Sequence, residues 1–237
     1  MDKIVRNMQL KILDVFSKET REFALSGGTA LELFYLKHRF SRDLDFFSHE
    51  YNLKEIDLLV SKFNRITDET IKLENEFVVS NKARVRFYTA EIKDTSVPLK
   101  IDFVEDVLFD KPVIRKFNKV PVYDINHIYF QKIVALVGTH LTTNEIGRET
   151  ITGRREVRDI IDVYYLSKKI CPLHGFMKRL SRDLQRGIVY WYRSYSRQEV
   201  KFGVLDLDIY DKEFDVKGMT GHLDNEIKKF MTEVIIE

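Results

Sequence analysis

Cysteine is nearly absent from this chain of 237 residues. Cys171 stands alone, which excludes an internal disulfide and leaves no second thiolate for a finger-type zinc site. In KKICPLHG the intervening Pro172 favours a turn over a Cys171/His174 nucleophile and base pair. Long apolar runs are missing as well. No stretch approaches the roughly 20 residues that cross a bilayer, and MDKIVRNMQLKILDVF has neither the apolar core nor the small-residue cleavage site of a secretory signal. A cytoplasmic protein that makes no use of a membrane is expected. The GxxxxGK[ST] loop and the GxGxxG fingerprint are both absent, which sets aside the Walker and dinucleotide types of phosphate site. There is no RNP-type aromatic pair, no internal repeat and no low-complexity tract.

What is present is the composition of a folded, soluble chain: 44% hydrophobic and 32% charged residues, with a formal net charge of +2. That net charge predicts no nucleic-acid binding by itself. Its distribution says more, because basic residues gather at Arg154, Arg155 and Arg158 and again at Lys178, Arg179, Arg182, Arg186, Arg193 and Arg197. Asp206, Asp208, Asp211, Glu213 and Asp215 make the next stretch acidic. A locally positive face and an ordinary solvated helix surface are both consistent with this pattern. Tyr190, Trp191, Tyr192 and Tyr195 read as packing residues of the same region.

The periodicity predicts an amphipathic helix over residues 3 to 18, from Ile4, Met8, Ile12, Val15 and Phe16. Phe23 to Ser26 reads as a short strand that runs into Gly27-Gly28, after which Thr29 to Leu36 resumes a helical pattern. DLDFF is a second strand, and Lys54 to Phe63 a helix. FVVS and ARVRFYTAEI are strand-like, the latter with Val85, Phe87 and Thr89 on one side, and VPLKIDFVED is a further strand. LFDKPVIRKFNKVPVYDIN reads as a connector or edge region. Helical patterns then take over in HIYFQKIVALVGTH, in RREVRDIIDVYYLS, from Gly175 to about Trp191, and in the tail from about residue 222, where Leu223, Ile227 and Phe230 recur. The expected class is α+β, with a catalytic domain over 1–122 and a mainly helical domain over 123–237 that completes the cleft for nucleotide and acceptor.

Side chains alternate along a strand, so Asp43 and Asp45 share a face while Leu44 and Phe46 take the other. In KIDFV, Lys100 and Asp102 share a face and Leu99, Ile101 and Phe103 enter the core. If the two strands are neighbours, three carboxylates can converge. Three like charges repel unless a cation stands among them, and magnesium prefers such hard oxygen donors. Two ions about 3.5–4 Å apart would support an in-line phosphoryl displacement. Asp-x-Asp alone is a weak signal. Gly27 and Gly28 strengthen it, because glycine lets backbone amides turn into a tight loop, Thr29 adds a hydroxyl, and the helix that follows presents its positive end to phosphate.

The stretch LSGGTALELFYLKHRFSRDLDFF, with LKIDFV later, resembles the nucleotidyltransferases of the AbiEii/AbiGii toxin group, within the DNA polymerase beta-like superfamily. The shared parts are the glycine turn, the helix and Asp43-Leu44-Asp45. The resemblance implies a polymerase beta-like fold with a small mixed sheet and flanking helices. It implies metal binding by Asp43, Asp45 and Asp102, and an approach to the site formed by Arg39, Ser41 and Arg42. It further implies that Lys132 contacts nucleotide phosphate and that Asp159 helps organise the site, with Asp162 more simply a salt-bridge partner of Arg155, Arg158 or a neighbouring helix. Gly28 stands where the superfamily more often has serine, and Thr29 is the candidate to supply that hydroxyl.

The expected reaction is magnesium-dependent transfer of a nucleoside monophosphate from a nucleoside triphosphate, ATP among the candidates, to an acceptor hydroxyl. Phosphates would lie over Gly27, Gly28 and Thr29, and Arg39 or Arg42 would hold phosphate or acceptor. RNA is the favoured acceptor, with a protein hydroxyl as the alternative. The group also implies a toxin component with a cognate antitoxin. A nucleotide-binding partner of an antitoxin that retains the fold without catalysis, and a metal-dependent phosphohydrolase, are the competing readings.

Overall fold

The alternating DLDFF and KIDFV runs are realised as neighbouring strands. In the computed structural model, which describes residues 3–236 except 68, 69, 80, 81, 94, 96, 140, 144, 148 and 155, the chain divides into two compact units. Arg155 and the last residue of FVVS therefore lie outside the described residues. The first unit comprises Met1–Tyr35 and Phe40–Ile128, the second Leu36–Arg39 and Tyr129–Glu237.

The first unit is built on a mixed sheet of seven strands: β1 (Ala24–Ser26), β2 (Leu44–Ser48), β3 (Ile71–Phe77), β4 (Val85–Ala90), β5 (Leu99–Glu105), β6 (Ile114–Phe117) and β7 (Val120–Tyr123). They are ordered β3-β4-β5-β2-β1-β7-β6. β2 runs parallel to β5 and antiparallel to β1, which places it at the centre. Its Leu44 and Phe46, with Leu99, Ile101 and Phe103 of β5, are fully buried. Helices α1 (Lys3–Glu19) and α3 (Leu53–Thr67) cover that face. Phe16 of α1 stacks on Phe46 with ring centroids 4.1 Å apart, and Phe63 of α3 approaches it at 6.2 Å. Burying one such ring stabilises the unit by about 1.5–3 kcal/mol, so this aromatic column anchors β2 against the helices.

Two local details depart from the periodicity, at FVVS and after the glycine turn, whereas the shared face of Val85, Phe87 and Thr89 is as read. The strand expected at FVVS begins earlier, at Ile71, and only Phe77 of that run belongs to it. β3 is an edge strand with one buried residue, so its pairing with β4 rather than its own pattern defines it. In β4, Tyr88 and Ala90 face the core and leave Val85, Phe87 and Thr89 on the opposite face, where Phe87 sits opposite Asp102. The helix after the glycine turn starts at Gly27 as α2 (Gly27–Ala30) and widens at once into a π-helical segment, Leu31–Leu36. Such wide turns concentrate near functional sites. Tyr35 on it donates to the Tyr123 carbonyl at 2.8 Å, and Phe34 stacks on Phe117.

The second unit is mainly helical. It takes in the greater part of α4 (Ile125–Val137), a hairpin of β8 (Leu141–Thr143) and β9 (Glu149–Ile151), and helices α5 (Val157–Lys169), α6 (Leu173–Met177), α7 (Arg182–Ser194), α8 (Arg197–Val204) and α9 (Val216–Ile236). The region expected as one helix from Gly175 to Trp191 is broken between α6 and α7. Ser181 causes the restart by accepting from the Leu184 amide as an N-cap, and Ser196 starts α8 in the same way. α5 is buried from Asp159 to Ser167, which makes it the core helix of the unit. Trp191, Tyr192 and Tyr195 pack inside, as read from sequence, but Tyr190 is exposed. Among the described residues no helix is long and apolar enough to cross a membrane.

Candidate active site

The register between β2 and β5 sets Asp45 directly opposite Asp102. Both side chains lie on the sheet face that Leu44, Phe46, Ile101 and Phe103 leave, and both are partly exposed. Asp43, one residue before β2, falls on the same side by alternation. On the other flank of β2, Ser26 of β1 pairs with Asp45, and Gly27 follows with φ +70. A Cβ at Gly27 would lie 2.1 Å from Asp45 Oδ2 and 2.9 Å from its Cγ. Gly27 is thus glycine for two reasons: its left-handed backbone and the space that the Asp45 carboxylate occupies above it.

The condition for convergence, neighbouring strands, is met by the backbone. The side chains are gathered less tightly than that. Among the described residues no three His, Cys, Asp or Glu side chains form a group that could hold a metal ion as they stand. The Asp45 carboxylate leans over Gly27, toward β1, while Asp102 belongs to β5 on the opposite flank. The donor set itself is that of a hard divalent cation: carboxylate oxygens, partly exposed, on one face of one sheet.

A set of buried polar groups fixes the segment that leads into β2. Thr29 is fully buried and its hydroxyl donates to the Asp43 carbonyl. Gln9 of α1 donates to the carbonyls of Ser41 at 3.0 Å and Arg42 at 2.6 Å. Glu32 accepts from the Ser41 amide at 2.8 Å and pairs with Arg6, whose guanidinium lies 4.8 Å from the Phe40 ring centroid. Thr29 therefore positions Asp43 through the backbone. Gln9, Glu32 and Arg6 were missed by sequence reasoning, since a polar residue within an amphipathic helix carries no motif. The one available signal is that Gln9 falls in helical register with Val5, Ile12 and Phe16, the buried face of α1.

Other candidates from the sequence assemble within the second unit. Asp162 is fully buried and accepts from His38 Nε2 at 2.7 Å and from Arg39 through Nε at 2.7 Å and Nη2 at 2.8 Å. Lys132 lies between two carboxylates, with Nζ 2.7 Å from Asp159 Oδ1 and 2.8 Å from Asp162 Oδ2. Arg154 closes the network on Asp159 at 2.8 Å. Asp162 thus pairs with Arg39, His38 and Lys132, and Lys132 is a buried member of an ionic cluster. Burial opposes every charge here, and the partners outweigh it: Asp159 and Asp162 hold the Lys132 pKa above the ordinary lysine value. Arg39 and Lys132 in turn hold Asp162 well below the usual carboxylate range against the same desolvation.

His38 is the exception, because burial wins and its pKa falls below the ordinary histidine value. Nε2 donates to Asp162, and Nδ1 is buried without a hydrogen-bond partner, so a second proton would have nowhere to point. In the unfolded chain the imidazole titrates near about 6.5, and below that pH the unfolded state binds a proton that the folded state refuses. The contribution is complete above about pH 6.5 and is lost as pH falls. Urea unfolding is expected to show a stability that decreases from neutral to mildly acidic pH, with a shallower decrease in His38→Gln. An unchanged pH slope in that variant would contradict a neutral His38.

The sequence candidates thus fall into two constellations. Gly27, Gly28, Thr29, Ser41, Arg42, Asp43, Asp45 and Asp102 belong to the first unit, and Arg39, Lys132 and Asp159 to the second. Comparison with known proteins agrees with the fold. The chain is similar to a Helicobacter pylori protein of known crystal structure described as a nucleotidyltransferase, at 18% identity and a TM-score of 0.59, with 98% of each chain covered. It is similar also to JHP933 from Helicobacter pylori, at 17% identity and a TM-score of 0.58, over 97% of this chain and 93% of that one. No curated protein matches the sequence. At such identities the likeness is one of fold: a mixed sheet with flanking helices of the polymerase beta-like kind, then a mainly helical region. Residues 11–233 match the family described as Nucleotidyl transferase AbiEii toxin, Type IV TA system. The chain belongs to the AbiEii family of nucleotidyl transferase toxins.

Proposed function

We propose that this protein transfers a nucleoside monophosphate from a nucleoside triphosphate to a hydroxyl of RNA, with magnesium, as the toxin partner of a cognate antitoxin. The observation that carries the reading is the register of Asp45 against Asp102 on adjacent parallel strands, beside a glycine whose missing Cβ admits the Asp45 carboxylate. Asp43, Asp45 and Asp102 are the residues that would hold magnesium, and their fit to it is the hard-oxygen chemistry of the donor set. When bound, the cation would screen the carboxylates from one another and from the incoming phosphates, and stabilise charge on the displaced oxygens.

The chain's own groups supply the rest. Gly27, partly exposed beside Asp45, carries no side chain to keep phosphate from its backbone, while Gly28 is buried in α2. Thr29, Gln9 and Glu32 hold the Ser41–Asp43 segment in place, which preorganises the acidic face before substrate arrives. Asp102 favours loss of the acceptor proton. The acceptor oxygen then forms its bond to the α-phosphorus as the bond to the β-phosphate oxygen breaks, and pyrophosphate leaves. Arg42 is proposed as a further phosphate or acceptor ligand of this unit; within the helical unit, Lys132 is proposed to contact phosphate by exchanging one carboxylate for a phosphate oxygen, with Asp159 holding it in position and Arg39 engaged by Asp162.

The test is to supply the protein with magnesium, each α-labelled nucleoside triphosphate in turn, total RNA and cell protein. The expected result is label on RNA from one nucleotide, with one pyrophosphate released for each label incorporated. Label confined to polypeptide would move the acceptor to a protein hydroxyl. Free nucleotide with no labelled acceptor would indicate hydrolysis and sink the transfer reading.

A further inference from the structure

A basic groove in the helical unit lies outside both constellations. It is an open groove of about 790 Å³ between α7 and α9, lined by Lys178, Arg182, Arg186, Tyr190 and Arg193 on one side and by Phe230 and Val234 on the other. Lys178, Arg182, Arg186 and Tyr190 succeed one another at intervals of four residues, and Arg193 follows three later, so the row runs along one face of α7 and its approach. The opposite face of the helix, Leu184, Ile188 and Trp191, is buried, which turns the basic row outward. All five side chains of the row are exposed. Lys178 pairs with Glu233 of α9 at 3.0 Å, at the rim. Among the described residues, those that line the groove include no acid.

We propose that this groove binds an RNA strand, with its phosphates along Lys178, Arg182, Arg186 and Arg193 and a base against Tyr190. The inference rests on the reading of RNA as acceptor and names the surface that holds it. Exposed Tyr190 favours a nucleic-acid strand over an acidic protein, and two features of the row suit the strand's phosphates. Arg182 and Arg186 stand one helical turn apart on α7, about 6 Å along its axis, comparable to the separation of successive phosphates along a strand. Tyr190 is the one aromatic of its cluster left exposed, at 37%, and it stands within the row, where a ring face can stack on a base whatever its identity. The guanidinium fork binds phosphate in bidentate fashion, and three of the four cations are arginine.

The experiment measures binding of a labelled single-stranded RNA oligonucleotide by fluorescence anisotropy, over a salt titration and without nucleoside triphosphate. Arg182→Ala/Arg186→Ala/Arg193→Ala is expected to weaken binding by at least about tenfold and to reduce the slope of log K against log salt by about 2, since each phosphate contact on a single strand contributes about 0.7. Tyr190→Ala should weaken binding by about tenfold or more, with Tyr190→Phe close to the parent. Lys217→Ala, on α9 but outside the groove, should leave affinity unchanged. The substituted side chains are exposed, and unchanged circular dichroism will establish that the variants are folded. RNA affinity and salt slope that survive the triple substitution would overturn the proposal, as would the absence of RNA binding by the parent protein. Loss of binding to an acidic antitoxin with RNA binding intact would overturn it in favour of a protein partner. The readout needs no turnover, so the two readings fail separately: RNA bound through this row by a parent protein that transfers no nucleotide leaves the groove assigned and removes the enzymatic reading.

Discussion

Asp45→Asn is expected to lower magnesium-supported nucleotide incorporation by about a thousandfold, a loss of roughly 4 kcal/mol in transition-state stabilisation. The substitution keeps the shape of the side chain and removes its charge. Asp45 is partly exposed and its neighbours Leu44 and Phe46 carry the packing of β2, so thermal unfolding should change little. Asp102→Asn should behave likewise, because it stands opposite Asp45 on the same face of the sheet and is also partly exposed. Gly27→Ala reaches the same carboxylate from the other side: the new Cβ would fall 2.1 Å from Asp45 Oδ2, at a residue whose φ is +70. The alanine must therefore displace the carboxylate and also accept a left-handed backbone, at a cost of about 1 kcal/mol. Steady-state rates with each labelled triphosphate, set beside melting curves, check all three. Turnover within tenfold of the parent in both aspartate variants would remove the carboxylate pair from the mechanism.

How much of this site was legible follows from which forces leave a trace in sequence. Strand alternation is written residue by residue, so Asp45 opposed to Leu44 and Phe46, and Asp102 opposed to Ile101 and Phe103, could be read before any fold was known. The adjacency of β2 and β5 could only be supposed. A helix and two further strands intervene between them, and nothing in either run names its partner, because pairing across such a distance is decided by the whole sheet. The glycine turn could be read as permissive, but not that Gly27 makes room for a carboxylate. Thr29 shows the limit most clearly. A hydroxyl after two glycines suggests a phosphate ligand, whereas in the fold it is buried against the Asp43 carbonyl. Lys132 and Asp162 show it again: a lysine on a helix reads as solvent-facing by default and Asp162 as a salt-bridge partner of Arg155, Arg158 or a neighbouring helix, and only tertiary packing turns them into a buried cluster.

That cluster carries the second large effect. Asp162→Asn is expected to destabilise the helical unit by about 3–5 kcal/mol, the usual consequence of removing one partner from a buried ion pair. As the fold stands, the buried charges of Arg39 and Lys132 are balanced by those of Asp159 and Asp162, while Arg154 is half exposed and partly served by solvent. Asparagine keeps an oxygen for His38 or Arg39 but leaves two buried cations sharing one carboxylate. Its amide also points donors at groups that are themselves donors. Arg39 cannot discharge, and a lysine can, so the variant should relieve part of the imbalance by lowering the Lys132 pKa. The parent's stability from this source is present above the unfolded carboxylate pKa, near about 4, and is lost only as pH falls through the depressed folded value. The variant should instead gain stability as pH rises from the lowered lysine pKa of the folded state to the unfolded lysine value near about 10.4. Denaturation across neutral and alkaline pH therefore distinguishes a charge effect from a packing defect: a melting temperature lower by on the order of 10 °C that recovers in part at high pH supports the ionic account, and a deficit that is the same at every pH would refute it.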